Sequence, residues 1–156
     1  MGLNSFQSPV GPITVESLSG EVISVRFKDL KQEEIYPDAS TDECINQLKA
    51  YFKGSLKLFT IAYRLAVTEY QEKVLQKVSE IPYGKILTYS ALAKMTDSVE
   101  HTRSVAAANA KNPLPIIIPC HRVIGINGTM VGYVGGVRIK KKLIELENNA
   151  TQLSLF

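Results

Sequence analysis

The sequence predicts a mixed chain: an antiparallel β-hairpin and a helix in the first part, then a mainly helical second part with a candidate helix-turn-helix. Three observations carry this. Apolar and polar residues alternate over 13–18 and 21–27, the period of half-buried strands. Apolar residues recur at helical spacing over 70–81 and 137–147. Two short helical stretches flank the polar break Thr96-Asp97-Ser98.

Composition bounds the rest. The chain has 156 residues, 45% of them hydrophobic and 21% charged, enough for one good core or two small ones. With only two Cys it is neither a disulfide scaffold nor a disordered or collagen-like chain. The longest aliphatic block, Ile116-Ile117-Ile118, is broken at once by Pro119, so no membrane span is expected. Residues 1–6 lack the charged start and apolar run of a secretory signal, and Phe6 stands where a myristoylation motif needs Ser or Thr. The expected compartment is therefore reducing and intracellular, cytoplasmic or, for a eukaryotic source, nuclear. The net charge of +3 is small, but it is uneven. Residues 1–68 carry seven Lys/Arg against eight Asp/Glu, and the remainder carries eleven against seven, which permits a polyanionic partner for the second part.

In chain order, the strands over 13–18 and 21–27 join through Ser19-Gly20. Ser40 with Glu43 reads as a capping box opening a helix whose apolar face is Ile45, Leu48 and Phe52 and which ends near Gly54. Cys44 lies beside that face with nothing basic around it and reads as a small buried hydrophobe. The segment 60–67 has no helical period and reads as an extended connector. The helix over 70–81 places Tyr70, Val74, Leu75, Val78 and Ile81 on one face and stops at Pro82. Thr88 caps a short helix over 89–94, and a second runs over 100–111. On residues alone this pair is either a helix-turn-helix or an ordinary helical corner. The second helix is almost all small residues, Ser104 to Ala110, which suits close approach either to the protein's own core or to a DNA groove. The last helix, over 137–147, packs through Ile139, Leu143, Ile144 and Leu146, and the chain frays after Asn148.

The least regular segment holds a candidate catalytic pair, which read alone is more often incidental. Pro113, Pro115 and Pro119 fix the backbone around the isoleucines, and Cys120-His121-Arg122 follows. A free thiol is mostly protonated at neutral pH, so a nucleophilic Cys needs a base, a cation or a helix N-terminus nearby. Adjacent side chains seldom face each other, so His121 reaches the thiol more readily through a bridging water, with a carboxylate orienting the imidazole. Two Cys and two His without a C-x-x-C leave no zinc site of the usual spacing, and neither metal nor cofactor is expected.

Residues 116–123, Ile-Ile-Ile-Pro-Cys-His-Arg-Val, resemble the active-site signature of the O6-alkylguanine-DNA alkyltransferases, the methylated-DNA–protein-cysteine methyltransferases. The likeness runs from Tyr70-Gln71 through Ile81-Pro82-Tyr83-Gly84, Thr88-Tyr89, Arg103-Ser104-Val105 and Asn112-Pro113 to 132–136 (Gly-Tyr-Val-Gly-Gly) and Glu147. Residues 8–14 resemble the start of the family's first domain.

The resemblance implies an α/β, ribonuclease-H-like N-terminal domain with an antiparallel sheet over 1–66. A mainly helical domain over 67–150 would carry the helix-turn-helix and the alkyl acceptor, and 151–156 would be a tail. It implies single-turnover removal of an alkyl group, chiefly methyl, from O6 of guanine, and from O4 of thymine, in double-stranded DNA, by a monomer. Cys120 would be the acceptor, and His121, through water, the base. Glu147 would orient His121; read alone it is a solvated helix-end charge. Asn112 would brace the active-site turn; read alone it simply forms an Asn-Pro turn. Tyr89 would hydrogen-bond N3 of the flipped guanine, although a core tyrosine has the same sequence context. Arg103 would fill the gap left in the base stack; otherwise it is a helix-start cation. Gln71 and Ser90 match positions that touch the DNA backbone. Val123, Tyr133 and Val134 would surround the base, and Lys140 matches a pocket-edge lysine, though Lys141 and Lys142 make a solvated face equally apt.

The chemistry fits these residue types. Attack on an alkyl carbon calls for a soft nucleophile such as thiolate, a base inside a duplex must be flipped out to be reached, and a narrow groove admits a helix with short side chains. Departures also matter. Ala106 and Ala110 stand where Gly is common, and Val131 and Val134 stand where small residues are frequent, so benzyl-sized adducts should be poorly accepted. The ligands of the structural zinc found in some relatives are absent, as is the fused metal-binding regulatory module. Two other readings compete: a non-catalytic alkyltransferase-like damage-recognition protein, which would lack the acceptor Cys, and a Cys-His hydrolase, which would have no use for Arg103 or Tyr89.

Overall fold

Strand β1 (Gly2–Ser8) opens the computed structural model, which describes residues 1–130 and 132–153, with side chains up to 149. It pairs antiparallel with β2 (Gly11–Leu18), which pairs antiparallel with β3 (Glu21–Arg26), giving the order β1-β2-β3. Sequence reading found only the second hairpin. Residues 3–6 are half-buried in succession, without the apolar alternation that announces a strand. Ser19 (φ 52°) and Gly20 (φ 83°) both lie in the left-handed region, as the two-residue turn of a hairpin requires. Ile13, Val15, Val22 and Val25 turn inward.

Both edges of this sheet are covered. Leu3 and Tyr36 exchange backbone hydrogen bonds of 2.7 Å beside β1. Beside β3, Val22 N–H donates to the Ala62 carbonyl and Arg64 N–H to the Val22 carbonyl, both at 3.0 Å. The stretch expected as a mere connector is thus partly strand-like and bonded to the sheet.

Helix α1 (Ala39–Phe52) covers the sheet with Thr41, Cys44, Ile45, Leu48 and Tyr51, the inward stripe of a 3.6-residue period. Its cap corrects the sequence reading. Asp38, not Ser40, occupies the N-cap and accepts from the Thr41 N–H at 2.8 Å, while Thr41 Oγ1 accepts from the Asp38 N–H. Asp and Thr make the reciprocal pair as well as Ser and Glu would, and Asp38 has the extended backbone that the cap needs. Phe52 is only half-buried, and Tyr51 is the aromatic in the core.

The chain divides into two units, 1–66 and 67–156. In the second, α2 (Glu69–Ser79) is opened by a Thr68–Gln71 capping box and packs with α3 (Tyr89–Thr96) and α4 (Thr102–Ala110). Val74, Leu75, Val78, Leu92 and Val105 are fully buried among these helices, each worth about 1.5–3 kcal/mol of transfer free energy. Thr88 caps α3 by accepting from the Ala91 N–H at 3.1 Å. A 3-10 turn over Val99–His101 separates α3 from α4, so the second helix begins at 102 rather than 100. Two features escaped the sequence: strand β4 (Leu87–Thr88) and strand β5 (Val123–Ile124), which pair in parallel. Two-residue strands leave no period to read.

Helix α5 (Val137–Leu153) is longer than expected, running through the segment read as frayed and into the 151–156 tail. Its fully buried positions are Lys140, Leu143 and Glu147, with Ile139, Ile144 and Leu146 only half-buried. A helix that sends a lysine and a glutamate inward is facing a polar site. No helix among the described residues is long and apolar enough to cross a membrane.

Candidate active site

The site is assembled on the irregular segment 111–119. Asn112 holds it from within. Its Nδ2 donates to the Ile118 carbonyl at 2.8 Å, and its Oδ1 accepts from the Leu114 N–H at 2.9 Å. Ile116 sits at φ 73°, a left-handed conformation that costs a β-branched residue of order 1–3 kcal/mol. Burial of Leu114, Ile116 and Ile118 and the Ile118–Leu114 backbone bond of 2.9 Å hold that strain in place. The consequence is a fixed position for Cys120, which opens a 3-10 turn over Cys120–Arg122. Asn109 of α4 adds a second brace, donating to the Cys120 carbonyl at 3.3 Å.

Cys120 is 2% exposed, and burial pushes its thiol up to about 11, against the opposing pull of Asn112 and of the Lys140 charge. The resting group is therefore a thiol that needs a base to become a nucleophile. His121 is fully buried beside it in the chain. Its Nε2 lies 2.6 Å from Glu147 Oε2. Glu147 also accepts from Arg122 Nε (2.8 Å), Arg122 Nη2 (3.1 Å) and the Gly84 N–H (3.0 Å). Burial works to raise the Glu147 pKa, but the bonds from His121 and Arg122 outweigh it and bring it down to about 2. As a carboxylate it can only accept, so Nε2 of His121 must donate. Burial lowers the His121 pKa, assisted by Arg122 and Lys140 against the pull of Glu147, so the ring is neutral and Nδ1 bears its lone pair. That Nδ1 is buried and has no hydrogen-bond partner among the described residues. A buried acceptor without a donor is where a water would be held.

A second polar cluster adjoins the first. Lys140 is fully buried and donates from Nζ to the Tyr89 hydroxyl at 3.2 Å, with the ammonium 5.4 Å from the ring centre. Burial lowers its pKa to about 8, and the Cys120 charge acts to raise it. Burial raises the Tyr89 pKa, and Asn109 acts to lower it. Val123 and Tyr133 are buried in the same unit, and Tyr133 feels the charges of Cys120 and Glu147. Gly132 lies at φ 70°, and a Cβ there would stand 3.6 Å from the Tyr89 hydroxyl. No cluster of three or more His, Cys, Asp or Glu side chains that could hold a metal occurs among the described residues.

The expected site residues thus divide. Cys120, His121, Glu147, Asn112, Tyr89, Val123, Tyr133 and Lys140 are all buried in the second unit, and the solvated readings of Glu147 and Lys140 are corrected. Arg103, Gln71, Ser90 and Val134 are not buried with them. Arg103 is exposed in the first turn of α4 on the face with Ser104 and Ala107, whereas Val105, Ala108 and Asn109 face the core, so the small residues serve core packing on one face and lie open on the other. Gln71 caps α2 through Thr68, Ser90 lies 3.2 Å from Thr88 Oγ1, and Val134 is 57% exposed. Val131 lies outside the described residues. Sequence reasoning missed Arg122, Asn109 and Gly84. The signal for Arg122 was a permanent cation inside a buried-looking Pro-Cys-His-Arg-Val run, which demands a buried partner.

The fold and site define a protein that couples a buried Cys-His-carboxylate centre to a helix-turn-helix. Comparison with known proteins agrees. Residues 69–149 match the family model described as 6-O-methylguanine DNA methyltransferase, DNA binding domain. A methylated-DNA–protein-cysteine methyltransferase of Methanosarcina acetivorans is 39% identical over 92% of this chain and 96% of its own. The crystal structure of Mycobacterium tuberculosis O6-methylguanine methyltransferase superposes with a TM-score of 0.86 at 33% identity, covering 99% of this chain and 98% of that one. That of Mycobacterium tuberculosis OGT in complex with DNA gives a TM-score of 0.86 at 34% identity, covering 96% and 94%. The chain belongs to the methylated-DNA–protein-cysteine methyltransferase family.

Proposed function

We propose that Cys120 is the acceptor through which this enzyme repairs DNA by direct reversal, taking the alkyl group from O6 of guanine onto its own cysteine. The observation that carries the assignment is the buried His121–Glu147 pair with its unpartnered Nδ1, next in the chain to a thiol that cannot ionise alone. Cys44 has no such support. It is fully buried in the first unit, with its pKa pushed up to about 12 by burial and by the charge of Glu43.

The steps follow from the groups in place. A water between the thiol and Nδ1 takes the Cys120 proton and passes one to His121, whose new charge Glu147 stabilises. The thiolate attacks the alkyl carbon in line with the C–O6 bond, the S–C bond forms, and the C–O6 electron pair returns to the purine. Tyr89, hydrogen-bonded by Lys140, offers its hydroxyl to N3 as charge builds there. The product is a thioether, so each molecule acts once. O4 of thymine presents the same alkyl–oxygen bond and belongs to the proposal.

The target must leave the duplex to reach a thiol that is 2% exposed. Arg103 would enter the stack behind it, with Ser104 and Ala107 allowing α4 close to the groove floor and Gln71 and Ser90 contacting the backbone. On this reading residues 67–150 form the DNA-binding and alkyl-acceptor domain, and the protein works as a monomer in the cytoplasm, or in the nucleus if eukaryotic. Cys120→Ser tests the assignment. It should bind O6-methylguanine duplex with native affinity and transfer no methyl group; residual stoichiometric transfer would place the acceptor elsewhere.

A further inference from the structure

The carboxylate that orients His121 has two cationic claimants, and orientation alone needs only one. Arg122 takes both oxygens of Glu147 through Nε and Nη2, at 2.8 and 3.1 Å. Its Nη1 donates to the Ile81 carbonyl at 2.6 Å, and its guanidinium lies 5.7 Å from the Tyr83 ring centre. Arg122 is 6% exposed, Glu147 2% and His121 0%. A cluster this dry is least costly when its net charge is zero. With one carboxylate present, one cation satisfies that condition, and arginine cannot lose its proton. His121 is then left as the neutral partner.

We propose that Arg122 is a positioning residue whose charge, locked on Glu147, keeps His121 a neutral imidazole and so leaves Nδ1 free to receive the Cys120 proton. Without Arg122 the neutral arrangement becomes imidazolium and carboxylate, Nδ1 carries a proton, and the base is lost near neutral pH. Burial and the Lys140 charge push His121 the same way, but among the described residues no other group facing it neutralises Glu147. Lys140 of the same helix as Glu147 bonds Tyr89, Cys120 is a thiol at rest, and Tyr83 and Tyr133 are uncharged, their pKa values raised by burial. The proposal rests on the reading of His121 as the base.

The test uses the whole chain and has two readouts. The chain has two histidines, so in a His101→Gln background the 15N spectrum reports His121 alone. There the imidazole should be neutral with Nε2 protonated from pH 6 to 9. In Arg122→Gln it should be an imidazolium at pH 7, because an uncompensated carboxylate raises a neighbouring pKa by about one to three units. Methyl transfer from an O6-methylguanine duplex, measured in a single turnover, should fall at least about tenfold at pH 7 and climb back toward the native rate by pH 9. In the double variant Arg122→Gln/Glu147→Gln the imidazole should again be neutral at pH 7. A neutral His121 in Arg122→Gln, or a rate loss equal at every pH, overturns the proposal. If Arg122→Gln does not fold, Arg122→Lys keeps a cation at the carboxylate and must leave the acid limb of the profile unmoved; a displaced limb overturns the proposal. Native transfer by His121→Gln would instead refute the base reading while leaving the spectroscopic result standing.

Discussion

Glu147→Gln removes one charge from the buried His121–Glu147–Arg122 cluster and keeps its shape, so its cost can be worked from the contacts. At pH 7 the variant leaves Arg122 buried beside a neutral amide, a broken buried pair of the kind that costs about 3–5 kcal/mol. The cost must depend on pH. The Glu147 pKa is about 2 in the fold and about 4.3 in an unfolded chain, a difference of order 3 kcal/mol. A depressed carboxylate contributes that stability in full above the unfolded value and loses it as pH falls toward the folded one. Denaturant unfolding followed by circular dichroism should show native protein and variant separated by about 3–5 kcal/mol at pH 7 and converging by about 3 kcal/mol between pH 5 and pH 2. A separation that stays constant with pH, or one under about 1 kcal/mol at pH 7, would refute the assignment of Glu147 as the buried counter-charge.

Arg103→Ala should transfer methyl from a duplex at least about a hundredfold more slowly yet react normally with free O6-methylguanine base, because only the duplex needs a base flipped; equal losses on both would remove the intercalating role. Native protein should repair methyl adducts well and benzyl-sized ones poorly, and Val134→Gly should narrow the gap, since Val134 is one bulky departure beside the buried Tyr133; equal native rates on the two oligonucleotides would contradict this. Cys44→Ala should leave transfer untouched while lowering stability by about 1–2 kcal/mol, the cost of a small buried truncation; a changed rate would give Cys44 a part it has not been assigned.

Long amphipathic periods were legible. The faces of α1, α2 and the β2–β3 hairpin follow from apolar spacing because burial of one face writes itself into the sequence. Strand β1 and the β4–β5 pair were not, since a half-buried strand and two-residue strands carry too little pattern. The α1 cap was misplaced by two residues because Asp38, Ser40 and Thr41 are all capable of capping and only the backbone decides. The candidate nucleophile and base, Cys120 and His121, stood out in the sequence through the likeness of Pro119-Cys120-His121-Arg122 to the family signature, since an adjacent Cys-His pair read alone is more often incidental. Partners that arrive from far along the chain were not legible from residue type alone. Read alone, Glu147 and Lys140 are surface charges on a lysine-rich helix until the packing of α5 buries both, and the partner of Arg122 is unknown until both Glu147 oxygens meet its fork. Asn109 and Gly84 act through one amide and one backbone N–H, which leave no mark in the sequence.

The most direct test of the central claim is stoichiometric. Native protein is titrated with duplex DNA carrying an isotopically labelled methyl at O6 of one guanine, and the label is located by peptide mass spectrometry. The account predicts one methyl group per molecule, all of it on Cys120, with unmodified guanine left in the strand and no further reaction when fresh duplex is added. Label on Cys44 or on any other residue, or methyl released to solvent with continuing turnover, would contradict it.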